Sequence, residues 1–379
     1  MPLTIKDKES DFEISHKTGR CGGPHNISLG GKPLLTMLDC SVNGISDSDL
    51  RAKSSRLYHK AGQSVFESEG SYTFGVTVNQ ICRYAGNTIR ITWDIKWPKE
   101  TRPVKPVQIG SARLHGKWTR LTTIARDGAS ETIELSNGAF AVPGSPISIV
   151  LHRDDGAKFE YSLGYDLWRW DYAIGQNVTA PLSLDVADEQ TTLLHSICDP
   201  TPEEVYPEAR EYRFMALVAF SAPGMPQPPA IDEATSVQFK KDKADLALDG
   251  ISSNTIRIDY TTMPCIENGR RLTSRGREAI CFEDGHSMTS LKRTIRQIAD
   301  ISQSGTLVLE GLTPGHCIDG SHCTKKQPRE HCDLYSIITF VAWAKNCLGK
   351  GWTIVTPQPA PWNALPSLSY SHLPLDFEY

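Results

Sequence analysis

The chain has 379 residues, of which 39% are hydrophobic and 22% are charged, a composition typical of a globular protein long enough for two domains. Its formal net charge is −4 and no block of five or six basic residues occurs, which argues against a nucleic-acid partner bound through its phosphates. No apolar run of about 18 residues is present, which argues against a membrane-spanning helix.

The N-terminus lacks the basic start and apolar run of a secretory signal. We therefore expect a soluble, cytoplasmic protein, and a secreted location stays open because a leader could have been removed. Ten cysteines occur without any Cys-x-x-Cys pair, and most are expected to be reduced, buried residues.

From about residue 71 onward, apolar and polar residues alternate with the period of a half-buried strand. The longest run places four large side chains on one face: Ile89, Ile91, Trp93 and Ile95. Asp155-Gly156 predicts a tight turn, and after it Phe159, Tyr161 and Leu163 alternate in the same way. Residues 213–220 are almost continuously apolar and predict a central strand covered on both faces. Residues 71–220 therefore predict a large antiparallel β-sandwich.

Four prolines between Pro223 and Pro229 resist both helix and sheet pairing and mark the predicted domain boundary. We expect a sandwich domain with a loop-rich N-terminal entry at 1–225, and a smaller β/α portion with a Pro-rich tail at 226–379. In the second part, two helical stripes alternate with predicted strands at 256–260, 279–282, 306–309 and 352–355. This order is typical of parallel strands joined by crossovers. The predicted fold class is α+β, mainly β.

Polar residues follow two of these predicted parallel strands. Glu283, Asp284 and His286 come after one strand, and Glu310 comes after the next, ahead of a loop at 316–333 that is rich in His and Cys. Adjacent parallel strands would place both loops at one sheet edge. The predicted acid/base residues are Glu283, Asp284, His286 and Glu310, and the predicted ligands of a divalent, zinc-like metal are Asp284, His316, His322 and His331.

Simpler explanations remain for these segments. Asp284-Gly285 is also what a turn before a helix requires. The loop at 316–333 also suits a structural metal, a disulfide, or a chance accumulation of His and Cys.

The segment Ile-Cys-Phe-Glu-Asp-Gly-His at 280–286 resembles the strand-end Phe-Asp-Asp-Gly motif of the polysaccharide deacetylases. The region up to 357 is similar to the closing strand–helix–strand of that family. The resemblance implies that Glu283 is a base and Asp284 a metal ligand. The family's His-x-x-x-His metal pair is absent here, since His316 and His322 are six residues apart.

Aromatic residues suggest a sugar-binding surface. Trp168 and Trp170 alternate with Arg169, so they share a face with Asp166 beside them. Flat aromatic rings next to charged groups are how proteins bind sugars. The predicted substrate-binding residues are Asp166, Trp168, Trp170, His115 and Trp118. The alternative is that these tryptophans fill the core between the sheets.

A large antiparallel sandwich with Trp-rich strands, over residues 70–220, is similar to the galactose-mutarotase-like supersandwich of many carbohydrate-active proteins. Both resemblances imply a carbohydrate ligand. The sequence therefore predicts a glycan-directed hydrolase with acid/base or metal-assisted chemistry, and the alternative is a non-enzymatic glycan-binding or structural sandwich protein. Acidic and His residues in one pocket would favour the enzyme, and a groove of aromatic residues without an acid/base pair would favour the binding protein.

Overall fold

The structure is a computed structural model, and it describes residues 3–6, 12–60, 63–85, 88–125, 129–144, 146, 148–163, 182–200, 211–221, 234–240, 245–248, 254–260, 263, 271–274, 277–280, 285–310, 312, 316–317, 331–349 and 351–355. The chain divides into two compact units. Unit 1 comprises residues 1–124 and 130–225, and unit 2 comprises residues 125–129 and 226–379. Neither of the helices in the described ranges has the length and apolar character needed to cross a membrane.

The described residues of unit 1 form strands and one short 3₁₀ turn at Asp47–Asp49. In chain order the strands are β1 (Leu3–Lys6), β2 (Phe12–His16), β3 (Asn26–Leu29), β4 (Lys32–Val42), β5 (Ile45–Ser46), β6 (Ser54–Lys60), β7 (Gln63–Ser71), β8 (Thr77–Ala85), β9 (Thr88–Lys96), β10 (Val107–His115), β11 (Trp118–Ile124), β12 (Ser130–Glu134), β13 (Gly138–Ala141), β14 (Ser148–Arg153), β15 (Lys158–Leu163), β16 (Leu182–Val186), β17 (Gln190–Cys198) and β18 (Glu211–Ser221).

These strands form two large antiparallel sheets. The first sheet has the order β1-β2-β3-β4-β10-β17-β16-β13, with β5 paired to β4, and the second has the order β12-β11-β14-β15-β18-β9-β8-β7-β6. One continuous hydrophobic core contains residues from both sheets. The predicted antiparallel sandwich is therefore confirmed.

The alternation along the strands decides which side chains enter this core. Ile89, Ile91, Trp93 and Ile95 are all fully buried on β9, as predicted. The apolar run at 213–220 lies in β18, between β15 and β9 near the middle of the second sheet. Phe214 and the residues from Ala216 to Phe220 are buried, on both faces of the strand, which explains why the sequence there does not alternate.

The described residues of unit 2 form short strands and two helices. The strands are β19 (Thr235–Val237), β20 (Thr255–Asp259), β21 (Arg271–Ser274), β22 (Arg277–Ile280), β23 (Gly305–Glu310), β24 (His316–Cys317), β25 (His331–Cys332) and β26 (Trp352–Val355), and the helices are α1 (Gly285–Ile301) and α2 (Asp333–Leu348). A parallel sheet has the order β19-β20-β23-β26. The remaining strands form two antiparallel pairs, β21 with β22 and β24 with β25.

One predicted parallel strand is wrong. The segment expected at 279–282 is instead β22, which pairs antiparallel with β21 and not with the parallel sheet. The parallel neighbour of β23 is β20. A four-residue strand has too few side chains for its apolar pattern to specify one pairing partner over another. The short connection at 275–276 favours a local hairpin over pairing with a distant strand.

Helix α1 packs on the parallel sheet through its predicted apolar stripe. Leu291, Ile295 and Ile298 are fully buried. The hydroxyl groups of Tyr260 and Thr294 lie 2.9 Å apart and connect the end of β20 to this helix. The helix begins at Gly285, two residues before the predicted cap, Ser287, which is buried.

Candidate active site

The second sheet has an inner face, which contributes to the core, and an opposite face, called here the outer face. On β14 and β15 the inner face carries Ile149, Leu151, Phe159 and Tyr161, all fully buried. The alternate residues therefore lie on the outer face. Cross-strand register arranges them in three rows over β11, β14 and β15: Arg120–His152–Lys158, Thr122–Val150–Glu160 and Ile124–Ser148–Ser162.

Glu160 is the deepest ionisable group of this face, with 1% of its surface exposed. Ser148 Oγ and Ser162 Oγ donate hydrogen bonds to its Oε1 at 2.9 and 2.8 Å. The other carboxyl oxygen, Oε2, is buried and has no hydrogen-bond partner among the described residues. Burial raises the pKa of Glu160 to about 8, although the two serine hydrogen bonds act in the opposite direction. The carboxyl group is therefore mainly protonated and neutral at pH 7.

His152 lies half-buried in the adjacent row. Its Nε2 is 3.0 Å from Thr122 Oγ1, which in turn is 2.9 Å from Thr132 Oγ1 on the edge strand. Loss of hydration lowers the pKa of His152 to about 4, and the positive charges of Lys158 and Arg120 add to this shift. The imidazole is therefore neutral at pH 7 and has a lone pair that can accept a proton.

Glu160 and His152 are diagonal neighbours on one sheet face. Val150 is directly opposite Glu160, and His152 lies two residues beyond Val150 on the same strand. Such diagonal pairs have Cα atoms roughly 7–8 Å apart, within reach of one bound substrate group. The environment shifts the two pKa values in opposite directions, so that a neutral acid and a neutral base coexist at pH 7. This combination is what general acid–base catalysis requires.

The predicted substrate-binding residues do not meet at one place. His115 is half-buried at the end of β10 in the first sheet, where its Nε2 is hydrogen-bonded to Thr36 Oγ1 and its carbonyl accepts from Arg153 at 3.0 Å. Trp118 lies in the second sheet and is fully buried. Asp166, Trp168 and Trp170 lie outside the described residues.

Trp118 therefore fills the core and does not line a surface. Its ring packs edge-on against Phe159, with centroids 6.5 Å apart, and the Arg153 guanidinium lies 5.4 Å from the ring centroid. The prediction that Trp118 contacts substrate does not fit this burial, and the core-filling alternative holds for this residue. Alternation alone could not distinguish a substrate contact from core filling. It predicts which face of a strand a side chain lies on, but not whether that face is covered by other parts of the protein.

The predicted C-terminal acid/base residues are described only in part. Glu283 and Asp284 lie outside the described residues, and His286 lies in the first turn of α1. Glu310 is the last residue of β23. Its carboxylate forms an ion pair with Arg257, whose Nη1 lies 3.1 Å from Glu310 Oε1. Asp259 is directly opposite Glu310 in the parallel ladder. Asp259 thus lies beside Glu310 in the sheet, at the position where the sequence analysis predicted the residues that follow 282.

The predicted metal ligands fall mostly beyond what the structure describes. Asp284 and His322 lie outside it. The short β24–β25 ladder places His316 opposite Cys332, and Cys317 opposite His331. Within the described ranges, no group of three or more His, Cys, Asp and Glu side chains could hold a metal ion. The metal site stays a prediction, as does the convergence of the two C-terminal loops.

Sequence reasoning missed both Glu160 and His152. The run Phe159–Leu163 placed Glu160 on the polar face of a strand, where a carboxylate is ordinarily solvated. The available signal was the pair of serines at Ser148 and Ser162, which flank the same turn as Glu160. That signal is weak, because serine is common on exposed strand faces.

No protein-family model matches the chain, and no curated protein matches it. Among solved structures it is similar to an α-galactosidase from Lactobacillus brevis, at 9% identity over 82% of this chain and 54% of that chain, with a TM-score of 0.38. It is also similar to a galactose mutarotase-like protein from Lactobacillus casei, at 7% identity over 58% of this chain and 100% of that one (TM-score 0.38). It is also similar to a putative aldose 1-epimerase from Escherichia coli, at 9% identity over 59% of this chain and 99% of that one, with a TM-score of 0.34.

These matches confirm a weak galactose-mutarotase-like resemblance. At such identities and TM-scores they assign neither a family nor an activity to this chain. The chain spans about half the length of the α-galactosidase that it matches.

Proposed function

We propose that this protein is a carbohydrate-active enzyme in which Glu160 and His152 form the acid/base pair. One observation carries the proposal: two diagonal neighbours on the outer face have pKa values shifted towards their neutral forms, to about 8 and about 4. Catalytic acids and bases are often tuned by their surroundings in this way. The threonine hydroxyls of the same face, on Thr122 and Thr132, supply hydrogen-bond partners for sugar hydroxyls.

The reaction that we propose is hydrolysis of a glycosidic bond. Glu160 donates its proton to the glycosidic oxygen as the bond from that oxygen to the anomeric carbon breaks. His152 accepts a proton from the water whose oxygen forms the new bond to that carbon. Glu160 Oε2 is the oxygen left for proton exchange, because Oε1 already accepts from both serines. Oε2 is buried in the unliganded protein, so the mechanism requires the groups that cover it to move when substrate binds. Thr122 keeps the imidazole in one orientation through its contact with Nε2.

The dependence of kcat/KM on pH tests this assignment. The mechanism needs protonated Glu160 and neutral His152, so activity should fall above a pH of about 8 and below a pH of about 4. The measurement is a pH–rate profile on aryl glycosides, with release of the aryl alcohol followed by absorbance. A profile that stays flat between pH 5 and pH 10 would remove Glu160 as the acid. Thr122→Ser, which keeps the hydroxyl, should preserve the acidic limb of the profile.

A glycan-binding protein without catalysis is the alternative outcome. It would bind the same glycosides with no turnover of any of them, and Glu160→Gln would leave binding unchanged. The burial of Trp118 removes one of the aromatic contacts on which such a protein was predicted to depend.

A divalent metal at the C-terminal loops is a separate proposal. Imidazole, carboxylate and thiolate groups are the ligands that zinc prefers, so the residues at 284, 316, 322 and 331 suit it chemically. We expect purified protein to contain close to one zinc per chain, and His316→Ala and His331→Ala to lose it. Affinity should fall as the pH drops through about 6.5, where imidazole becomes protonated. Elemental analysis is the measurement, with His59→Ala as the control, and protein free of metal after purification in zinc-supplemented buffer would overturn the proposal.

A further inference from the structure

Three basic side chains lie directly opposite one another on the outer face. Arg120, His152 and Lys158 occupy one cross-strand row on three adjacent strands. Arg120 is exposed and Lys158 is half-buried. Within the described part of the chain, neither cation has an ion-pair partner within 4.0 Å. His152 is neutral at pH 7, so the two charges of the row lie on β11 and β15, one on each side of it, where their long side chains can reach one group bound over His152.

The two cations differ in their cross-strand neighbours. Glu134, on the edge strand β12, is opposite Arg120 and is the carboxylate at the end of the row. On the other side, the residue opposite Lys158 is Ser221, which is uncharged. Glu160, in the next row, is mainly neutral at pH 7 because it is buried. Arg120 therefore has one carboxylate directly opposite it, whereas the cross-strand neighbours of Lys158, His152 and Ser221, are uncharged at pH 7.

The lowered pKa of His152 is consistent with this local field. The charges of Lys158 and Arg120 both disfavour the imidazolium form. An anion bound between the two cations would reduce that field.

We propose that the substrate is an anionic sugar, carrying a carboxylate, sulfate or phosphate group that binds between Arg120 and Lys158. The planar guanidinium of Arg120 can donate two parallel hydrogen bonds to such a group, and the Lys158 ammonium adds a second charge. His152 lies between the two cations, so the anion would hold the sugar over the acid/base pair. This inference rests on the proposed function, which places the reaction at Glu160 and His152. Binding of the anion itself does not require catalysis.

The test compares matched methyl glycosides by calorimetry: galactoside, galacturonoside, galactoside 6-sulfate and galactoside 6-phosphate. We expect at least one anionic glycoside to bind about tenfold or more tightly than the neutral one at low ionic strength, and to weaken as salt is added. Lys158→Gln and Arg120→Gln should each lose about tenfold in affinity for the anionic glycoside and leave the neutral one unchanged. The preferred anion identifies which of the three groups the site takes.

Arg56→Gln is the matched control. Arg56 is an exposed cation near the far edge of the same sheet, where it pairs with Glu67 at 2.6 Å. Its loss should change none of these affinities. A second readout needs no ligand: by NMR titration, Lys158→Gln should raise the pKa of His152, because one of the two charges that lower it is gone.

The outcomes separate this inference from the proposed function. Equal affinity for neutral and anionic glycosides, or equal losses for both in Lys158→Gln, overturns the anionic substrate. Turnover of a neutral sugar that depends on Glu160 would then leave the enzyme proposal standing. Conversely, selective binding of an anionic glycoside would support the anionic site. If turnover were unchanged in Glu160→Gln at the same time, Glu160 would be excluded as the general acid.

Discussion

Glu160→Gln is expected to lower kcat/KM at pH 7 by roughly 10²- to 10⁴-fold, the contribution typical of a general acid. The amide has nearly the shape of the protonated carboxyl group and can still accept from Ser148 and Ser162, but it has no proton to give to a leaving oxygen. The measurement is steady-state hydrolysis of an aryl glycoside. Because the neutral side chain is replaced by another neutral one, the fold should be kept.

Two controls make this result specific. Glu131→Gln removes a carboxylate from an exposed position on β12 and should keep full activity. Circular dichroism and a thermal melt of Glu160→Gln should match those of the unaltered protein at pH 5. A folded Glu160→Gln variant with more than about a tenth of the original kcat/KM would exclude Glu160 as the general acid.

The free energy of unfolding should depend on pH through the same residue. The pKa of Glu160 is about 8 in the folded protein against an ordinary value of 4.5. Below pH 4.5 both the folded and the unfolded chain hold the proton. Between pH 4.5 and pH 8 the unfolded chain has lost it while the folded chain keeps it, so stability falls by about 1.4 kcal/mol per pH unit from this group. Above pH 8 the loss levels off at roughly 5 kcal/mol.

Glu160→Gln removes this titration, because an amide does not ionise in that range. As pH rises from 4.5 to 8, the free energy of unfolding of the unaltered protein should therefore fall relative to that of the variant. Urea unfolding at several pH values measures it, with Glu131→Gln as the control that should follow the unaltered protein. A difference that stays constant over this range would mean that Glu160 is not neutral in the folded state.

Much of the sandwich follows from the sequence. Period-two alternation placed Ile89, Ile91, Trp93 and Ile95 in the core, and the almost continuous apolar run at 213–220 marked a strand covered on both faces. These features are local, since a strand turns alternate residues to opposite faces whatever its neighbours are.

The parallel sheet was predicted less well. The strand–helix–strand order of unit 2 was correct for β20, α1, β23, α2 and β26. The partner of β23 was wrong, because the sequence order of two strands does not say which one pairs with a third. In the structure β22 pairs with β21, and the residue directly opposite Glu310 in the parallel ladder is Asp259.

The sequence by itself determined which residues of β15 share a face: Phe159 and Tyr161 on one side, and Glu160 and Ser162 on the other. Only the tertiary structure decided that the second face is also buried at Glu160, and that register brings His152 alongside. The physical reason is that a pKa depends on the hydration and charges around a group, which are supplied by strands distant in sequence. Two ordinary polar residues thus become a neutral acid and a neutral base only after the sheet has assembled.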